Sequence, residues 1–270
     1  MAADPDQSGA QASALNKDRI LSLLKHDPAP VLRVEQELDS TSDHLARLRQ
    51  AGHDVDVVIA NAQSAGRGRR GRRWISPPGA GLYLSLFRPF EQSIRQLASL
   101  GLVAGVAAAE AIEQTCGISV GLKWPNDLQI DGRKVAGCLV DTEKTAQASA
   151  AIIGIGINID LREHSGPDQP WTDLVSVTGQ AVDRNRLSAA LIRRLTELLS
   201  EFDRAGFIAL REHWAQRDIL NGHPIEVFDQ DRKIIGGRAM GVDELGQLLV
   251  EVQGQIHRLH GGEVTLRRLL

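Results

Sequence analysis

Positions 66 to 73 read Gly-Arg-Gly-Arg-Arg-Gly-Arg-Arg, five arginines interleaved with three glycines. A run so rich in glycine does not hold a helix or strand, since each glycine gives up the most backbone freedom on ordering. Regular structure must stop at Gly66 and resume after Arg73. The flanks set the frame: Val57-Val58-Ile59-Ala60 has the pattern of a buried strand running into this loop, and Leu82-Tyr-Leu-Ser-Leu-Phe87 is a second strand beyond it.

The rest of the chain arranges itself around that strand–loop–strand unit. Residues 1–14 read as a tail rich in Ala, Gln, Ser and Asp, and Asn16 to His26 as a short helix stopped by Asp27-Pro28-Ala29-Pro30. Val31 to Leu38 is extended, and a short helix from Thr41 or Ser42 to Arg49 ends near Gly52. Leu97 to Thr115 is an Ala-rich helix closed by Gly117. Strands are expected at Val120–Trp124, Leu128–Ile130, Lys134–Val140 and Ala151–Ile159, with Asp131-Gly132 as a type I′ hairpin turn. Residues 160–181 read as a long surface loop. Leu187, Leu191, Leu195, Leu198, Leu199 and Phe202 recur at helical spacing, and Phe207–Arg217 is a further helix. After Asn221-Gly222, short strands at 224–228, 233–242, 247–253 and 255–259 predict a small β-barrel. No regular βαβ rhythm is evident, so the fold class is α+β: a tail and short helix over 1–30, a mixed-sheet domain over 31–219, and a small C-terminal β-barrel over 220–270.

Composition narrows the function classes. With 34 acidic against 31 basic residues the net charge is −3, so no global field draws the chain to nucleic acid or an anionic membrane. Cys116 and Cys138 sit among apolar residues and read as buried reduced thiols. The N-terminus lacks the features of a secretory signal, and the most apolar stretch, Gly101 to Ala109, stops at Glu110, far short of a membrane span. With none of these signals, the cytoplasm is the default expectation.

Four segments carry chemistry. The Arg/Gly loop offers backbone N–H groups and planar guanidinium donors to an oxyanion, yet alone it equally fits an RNA-binding tract or a solvated loop. It has neither Walker spacing nor a following helix. Lys123-Trp-Pro-Asn-Asp127 crowds a lysine, an asparagine and an aspartate at the exit of an apolar strand, where aspartate suits Mg²⁺ at a triphosphate and lysine an oxyanion. Lys134-Val-Ala-Gly137 places a lysine beside a glycine-containing strand. Gly154-Ile-Gly-Ile-Asn158 admits close approach of a ligand or of backbone, with Asn158 as a polar reader.

In order along the chain, Leu38-Asp-Ser-Thr41, Gln63-Ser-Ala-Gly-Arg-Gly-Arg-Arg-Gly-Arg-Arg-Trp74, Lys123–Asp127, Lys134–Gly137 and Gly154–Asn158 resemble the motifs of biotin–protein ligases. The resemblance runs from about Val34 through Gly261-Gly-Glu-Val-Thr-Leu-Arg267. It implies a class II synthetase-like catalytic domain that makes biotinyl-5′-AMP from biotin and Mg-ATP, then transfers biotin to a lysine of the biotin carboxyl carrier protein. By that resemblance Lys134, Arg69 and Lys123 are catalytic. Ser40, Thr41, Gln63, Arg67, Gly68, Arg69, Lys134 and Gly137 bind biotin. Arg67, Arg69, Arg72, Trp74, Lys123, Asn126, Asp127, Asn158 and Trp171 bind ATP, and Asp127 contacts the metal. Ser42 stands where the family commonly has Asn. The family often pairs through a sheet edge, so the strands after Val120 are candidates for a homodimer. Some members carry a winged-helix DNA-binding domain of about sixty residues. About thirty residues precede the catalytic domain here, so the expectation is a ligase without repressor function that binds no nucleic acid. A lipoate or octanoate ligase of the same superfamily is the alternative.

Overall fold

The computed structural model describes residues 14–24, 29–91, 93–144, 149–164, 166, 169–229, 232–261 and 264–268. Residues 1–13 of the expected tail and the stop at Asp27-Pro28 lie outside them. Strands β1 (Leu32–Leu38), β2 (Val57–Gln63), β3 (Gly81–Phe90), β4 (Gly121–Lys123), β5 (Asp127–Ile130), β6 (Arg133–Lys144) and β7 (Ser149–Asn158) form one mixed sheet in the order β1-β2-β3-β7-β6-β5-β4. Helices α1 (Lys17–Leu24), α2 (Thr41–Gln50), α3 (Leu100–Cys116), α4 (Leu174–Thr178), α5 (Arg184–Ala205) and α6 (Arg211–Ala215) surround it.

The strand sequences explain the layering. In β2, Val57 and Ile59 join the large core cluster under α3 and α5, while Val58 joins a second cluster with Leu45 of α2. Successive side chains point to opposite faces, so an unbroken apolar run marks a strand covered on both sides. Helix α3 suits its place, for Ala104, Ala107, Ala108, Ala109 and Ala111 are all fully buried and let it lie close to the sheet and to α5. By length and hydropathy the Gln96–Cys116 stretch passes for a membrane span, but 72% of its apolar window is buried inside the protein, as in a core helix. Gly117 ends α3 at φ 69°, and Asp131 (φ 49°) with Gly132 (φ 73°) makes the turn between β5 and β6, both as expected.

Three features depart from the sequence reading. The connection β1–α2–β2 is a parallel crossover, so one βαβ unit is present where no such rhythm was evident. The loop 160–181 contains α4, capped by Asp173, whose carboxylate accepts from Ser176 N at 2.7 Å. The helix expected at 207–217 divides into a 3₁₀ turn at Phe207–Leu210 and the short α6. The C-terminal unit is all-β as expected: β8 (Pro224–Asp229), β9 (Arg232–Val242), β10 (Leu248–Val252), β11 (Gln255–Leu259) and β12 (Val264–Arg268). It is a five-stranded antiparallel sheet in the order β11-β10-β9-β8-β12, open between β11 and β12 among the described residues.

The two sheets meet across one continuous core, since Ile225, Val227, Ala239, Val242, Leu248 and Val250 belong to the same cluster as α3 and α5. Trp124, nearly fully buried, donates from Nε1 to Gly246 O at 3.0 Å and ties the β4–β5 turn to the C-terminal sheet. The outer edge of β4 is covered: Leu122 N donates to Arg217 O (2.7 Å) and Ile219 N to Leu122 O (3.1 Å). A homodimer formed through that edge would have to displace both bonds.

Leu195 of α5 is fully buried in the large core cluster. Leu195→Ala is expected to lower unfolding stability by about 2–5 kcal/mol, through lost burial and the cavity left behind. Urea denaturation checks it, with Arg186→Ala, an exposed change on the same helix, as a control expected to stay within about 0.5 kcal/mol.

Candidate active site

The large core takes one face of the seven-stranded sheet, and the site lies on the other. Strand alternation sends Leu82, Leu84, Ile153, Ile155, Ile157, Leu122 and Leu128 into the core. The alternate positions, Ser85, Gly154, Gly156, Asn158, Lys123 and Asp127, therefore face the opposite side. There Gly154, Gly156, Asn158, Lys123 and Asp127 line a cavity of 2170 Å³ that also takes in Thr41, Gln63 and the Arg/Gly loop, with Ser85 buried behind Thr41 and Ser42. That volume exceeds what a single small ligand fills. In β6 the alternation alone would send Lys134 and Gly137 to opposite faces. A register shift against β5 inserts Val135 as an extra residue: Leu128 pairs Ala136 while Gln129 pairs Lys134. This bulge turns Lys134 to the cavity face beside Gly137, whose Cβ, if it had one, would lie 3.2 Å from Lys134 Cε.

One end of the cavity is a buried polar network. Ser40 caps α2, its hydroxyl accepting from Asp43 N at 3.4 Å, and Thr41 N donates to Gln63 Oε1 at 2.9 Å. Thr41 Oγ1 lies 2.8 Å from Ser85 Oγ, which in turn lies 2.9 Å from Ser42 Oγ. Gln63 Nε2 donates to Ser76 Oγ at 2.9 Å, so the amide's orientation is fixed from both sides. Gly154 makes room for this chain of hydroxyls, because a Cβ there would stand 2.8 Å from Ser42 Oγ.

Trp74 forms the middle of the floor. It lies across Gly156, where a Cβ would come within 2.5 Å of its ring, so only glycine admits the indole at this depth. Its Nε1 is buried without a partner among the described residues, a donor left over on a cavity-lining side chain.

The far end is cationic. Lys134 Nζ sits 5.3 Å from the Trp74 ring centre and 2.5 Å from Asp127 Oδ1. Burial pushes the Lys123 ammonium below the ordinary lysine range; Asp127 opposes that shift and Lys134 adds to it. Asn126 joins two elements, donating to Cys138 O at 2.7 Å and accepting from Arg69 at 3.1 Å. Asn158 donates to Thr172 O at 3.0 Å, and Lys134 pairs with Trp171 in an isolated bridge, so residues 170–172 cross the site's rim. Cys138, fully buried behind the cluster, has its thiol pushed up to about 12 and is inert.

The Arg/Gly segment is a closed loop. Gly68 N donates to Arg72 O (2.7 Å), Trp74 N to Gly66 O (2.8 Å), and Arg70 takes φ 61° at the tip. Arg69 turns inward to Asn126 and also reaches Gly261 O at 2.5 Å; burial lowers its pKa. Arg67 turns instead to Asp43 and Asp141. Arg72 lines the cavity and is exposed.

Thus Thr41, Gln63, Gly68, Arg69, Trp74, Lys123, Asn126, Asp127, Lys134, Gly137 and Asn158 share one cavity, with Ser40, Arg67, Arg72 and Trp171 on its walls. Sequence reasoning passed over Ser85, Ser76, Asp43 and Asp141. A serine inside the apolar run Leu82–Phe87 was a readable signal for Ser85; nothing local marked the other three.

Comparisons with known proteins identify the family. Residues 34–158 match the model of the Biotin/lipoate A/B protein ligase family. The chain is 40% identical over 256 residues to the Bifunctional ligase/repressor BirA of Escherichia coli (strain K12), covering 94% of this chain and 78% of that protein. It is 32% identical to the Biotin–[acetyl-CoA-carboxylase] ligase of Paracoccus denitrificans, covering 78% of this chain and 90% of that one. Among solved structures it resembles the Biotin protein ligase from Aquifex aeolicus in complex with biotin and ATP, with a TM-score of 0.74 at 30% identity over 88% of this chain and 99% of that one. The chain belongs to the biotin protein ligase family.

Proposed function

We propose that this protein condenses biotin with ATP to biotinyl-5′-AMP, releasing pyrophosphate, and passes the biotinyl group to a lysine of the biotin carboxyl carrier protein of acetyl-CoA carboxylase. One observation carries this reading: a hydrogen-bonding pocket and a lysine-rich cluster lie at opposite ends of one cavity, with an indole between them. A ureido ring offers paired N–H donors and a carbonyl, which suit Gln63 and the hydroxyls of Thr41, Ser42 and Ser85. A dithiolane or plain acyl chain would offer no partner for the donor and acceptor capacity these groups keep beyond their mutual bonds. This observation favours biotin over lipoate or octanoate.

In the first step a carboxylate oxygen attacks the α-phosphorus, and the bond to pyrophosphate breaks. Two anions must meet, so fixed positive charge where they converge lowers the barrier. Lys134 stands between the apolar floor and the phosphate end, and Lys123 and Arg69 flank it. No cluster of three metal-ligating side chains occurs among the described residues. Asp127 is a single carboxylate among cations, which fits a Mg²⁺ held mainly by nucleotide phosphates and water. That ion would neutralise phosphate charge. Asp127 would be the residue that holds such an ion, and Lys134, paired with Asp127, would face the reacting anions. In the second step the carrier's neutral lysine attacks the acyl carbon and AMP leaves. Positioning suffices there, because the mixed anhydride is already activated. We take residues 220–270 as a C-terminal domain that abuts the loop through Arg69 and Gly261, and the carrier protein as the macromolecular substrate, with a second copy of the chain as a further candidate partner. The chain is expected to act in the cytoplasm without nucleic acid.

Incubation with ATP, Mg²⁺ and biotin should release pyrophosphate and label carrier protein, while lipoate in place of biotin should do neither; lipoate turnover at a comparable rate would overturn the reading. Lys134→Ala should keep the fold, judged by circular dichroism, and slow single-turnover adenylate formation at least 10²-fold, the usual cost of one electrostatic donor. Arg69→Gly removes the guanidinium that bridges Asn126 and Gly261, so the intermediate should escape and label bystander lysines. Tight retention by that variant would count against the loop's role.

A further inference from the structure

Arg67, expected among the ligand-binding residues, points in this structure to two carboxylates on separate elements. Its Nη2 lies 3.0 Å from Asp43 Oδ1 of α2 and also pairs with Asp141 Oδ2 of β6. Neither Asp43 nor Asp141 lines the cavity. One guanidinium thus fastens the first limb of the Arg/Gly loop to the helix that presents Thr41 and Ser42, and to the strand that presents Lys134 and Gly137. The backbone of the same limb faces inward: Gly68 lines the cavity and donates to Arg72 O. Two residues further on, Arg69 points into the cavity toward Asn126.

We propose that Asp43 and Asp141 are positioning residues: an acidic latch that holds Arg67, and through it the loop, closed over the cavity. The proposal rests on the adenylate-forming reading only for what the closed loop retains. The latch itself is made of this chain's own residues and can be tested without substrate. Its partners are about two-fifths exposed, with side-chain exposures of 39% for Arg67, 39% for Asp43 and 42% for Asp141. Pairs this accessible are weak and screened by salt. A latch of that strength opens readily, which suits a lid that must release its contents to a carrier lysine in each cycle. The bond to α2 also links the loop to the polar end of the cavity, since Asp43 lies in the first turn of the helix that Ser40 caps.

The test compares wild type with Asp43→Asn/Asp141→Asn and with Asp141→Glu. The first readout needs no substrate: limited trypsin digestion, with cleavage after Arg67, Arg69, Arg70, Arg72 or Arg73 located by mass spectrometry. The double variant should be cut in the loop roughly three- to tenfold faster than wild type, the range that two half-exposed ion pairs supply. Raising salt should speed wild-type cleavage and leave the double variant unchanged, and Asp141→Glu should restore the wild-type rate. The second readout follows labelled biotin and ATP. The double variant should form the first equivalent of pyrophosphate at the wild-type rate but release the intermediate several-fold faster. Equal loop cleavage in wild type and double variant overturns the latch, as does slowed pyrophosphate formation with release unchanged. Wild type that makes no adenylate overturns the function while leaving the cleavage result to decide the latch.

Discussion

The site depends on the division of one sheet into two unlike faces. Alternation commits every second residue of β3, β7, β5 and β4 to the core under α3 and α5, so the remaining positions are free to carry chemistry. That freedom is used economically. Glycine stands where Trp74 and Ser42 must come close to the strands, serine where a hydroxyl is wanted, and lysine and aspartate at the strand ends, where charge is tolerated. The β6 bulge is the one break in the pattern. Without it Lys134 and Gly137 would lie on opposite faces, and the ammonium could not meet Asp127 across the strand pair. Burial of Ala136 and Cys138 on the core side holds the register after the bulge, so packing on one face fixes the aim of a charged group on the other.

Much of this was legible in the chain. The run Gly154-Ile-Gly-Ile-Asn158 displays the two faces in five letters, apolar for the core and small or polar for the cavity. Asp131-Gly132 announced its hairpin because few residues accept positive φ at consecutive positions. The leucine spacing from Leu187 to Phe202 gave α5 within a few residues of its ends. What stayed hidden was non-local. The parallel pairing of β1 with β2 depends on how α2 packs, and a ten-residue helix between two short strands has no unique signature. The bulge leaves no mark on Lys134-Val-Ala-Gly137, since any of these residues sits acceptably in an ordinary strand. Asp43 and Asp141 are separated by 98 positions, and only the folded sheet brings them to the same guanidinium.

The polar end of the cavity is built from short side chains. The Ser42 hydroxyl reaches only its immediate neighbour. The structure places Ser85 beside it, and Thr41 beyond, so three hydroxyls form one continuous chain ending at Gln63 Oε1. Each hydroxyl has one proton and two lone pairs, so the direction of such a chain is set at its ends. Gln63 accepts at one end; on the proposed reading a ligand carbonyl or N–H would fix the other. Gly154 is part of the same arrangement, because any side chain there would fill the space that Ser42 occupies.

The five arginines of the loop are distributed among different tasks. Arg69 is drawn inward, where burial raises the cost of its charge and Asp127 offsets part of it. Arg67 and Arg70 reach out to carboxylates, of Asp43 and Asp141 in the first case and of Asp229 in the second, and Arg73 donates to Ser64 O. A loop that bound phosphate through all its arginines would be repelled open by its own charge in the absence of ligand. Here surrounding acids and carbonyls hold Arg67, Arg70 and Arg73, while Arg72 stays exposed at the cavity wall, so the loop keeps a folded shape with its inward charge directed at the cavity. That arrangement also weakens the reading of the segment as a nucleic-acid tract, which requires its arginines turned to solvent and aligned along one basic face. Glycine at every second or third position is what lets one short loop send neighbouring side chains to opposite sides, and this gives the alternation of Gly and Arg a structural reason.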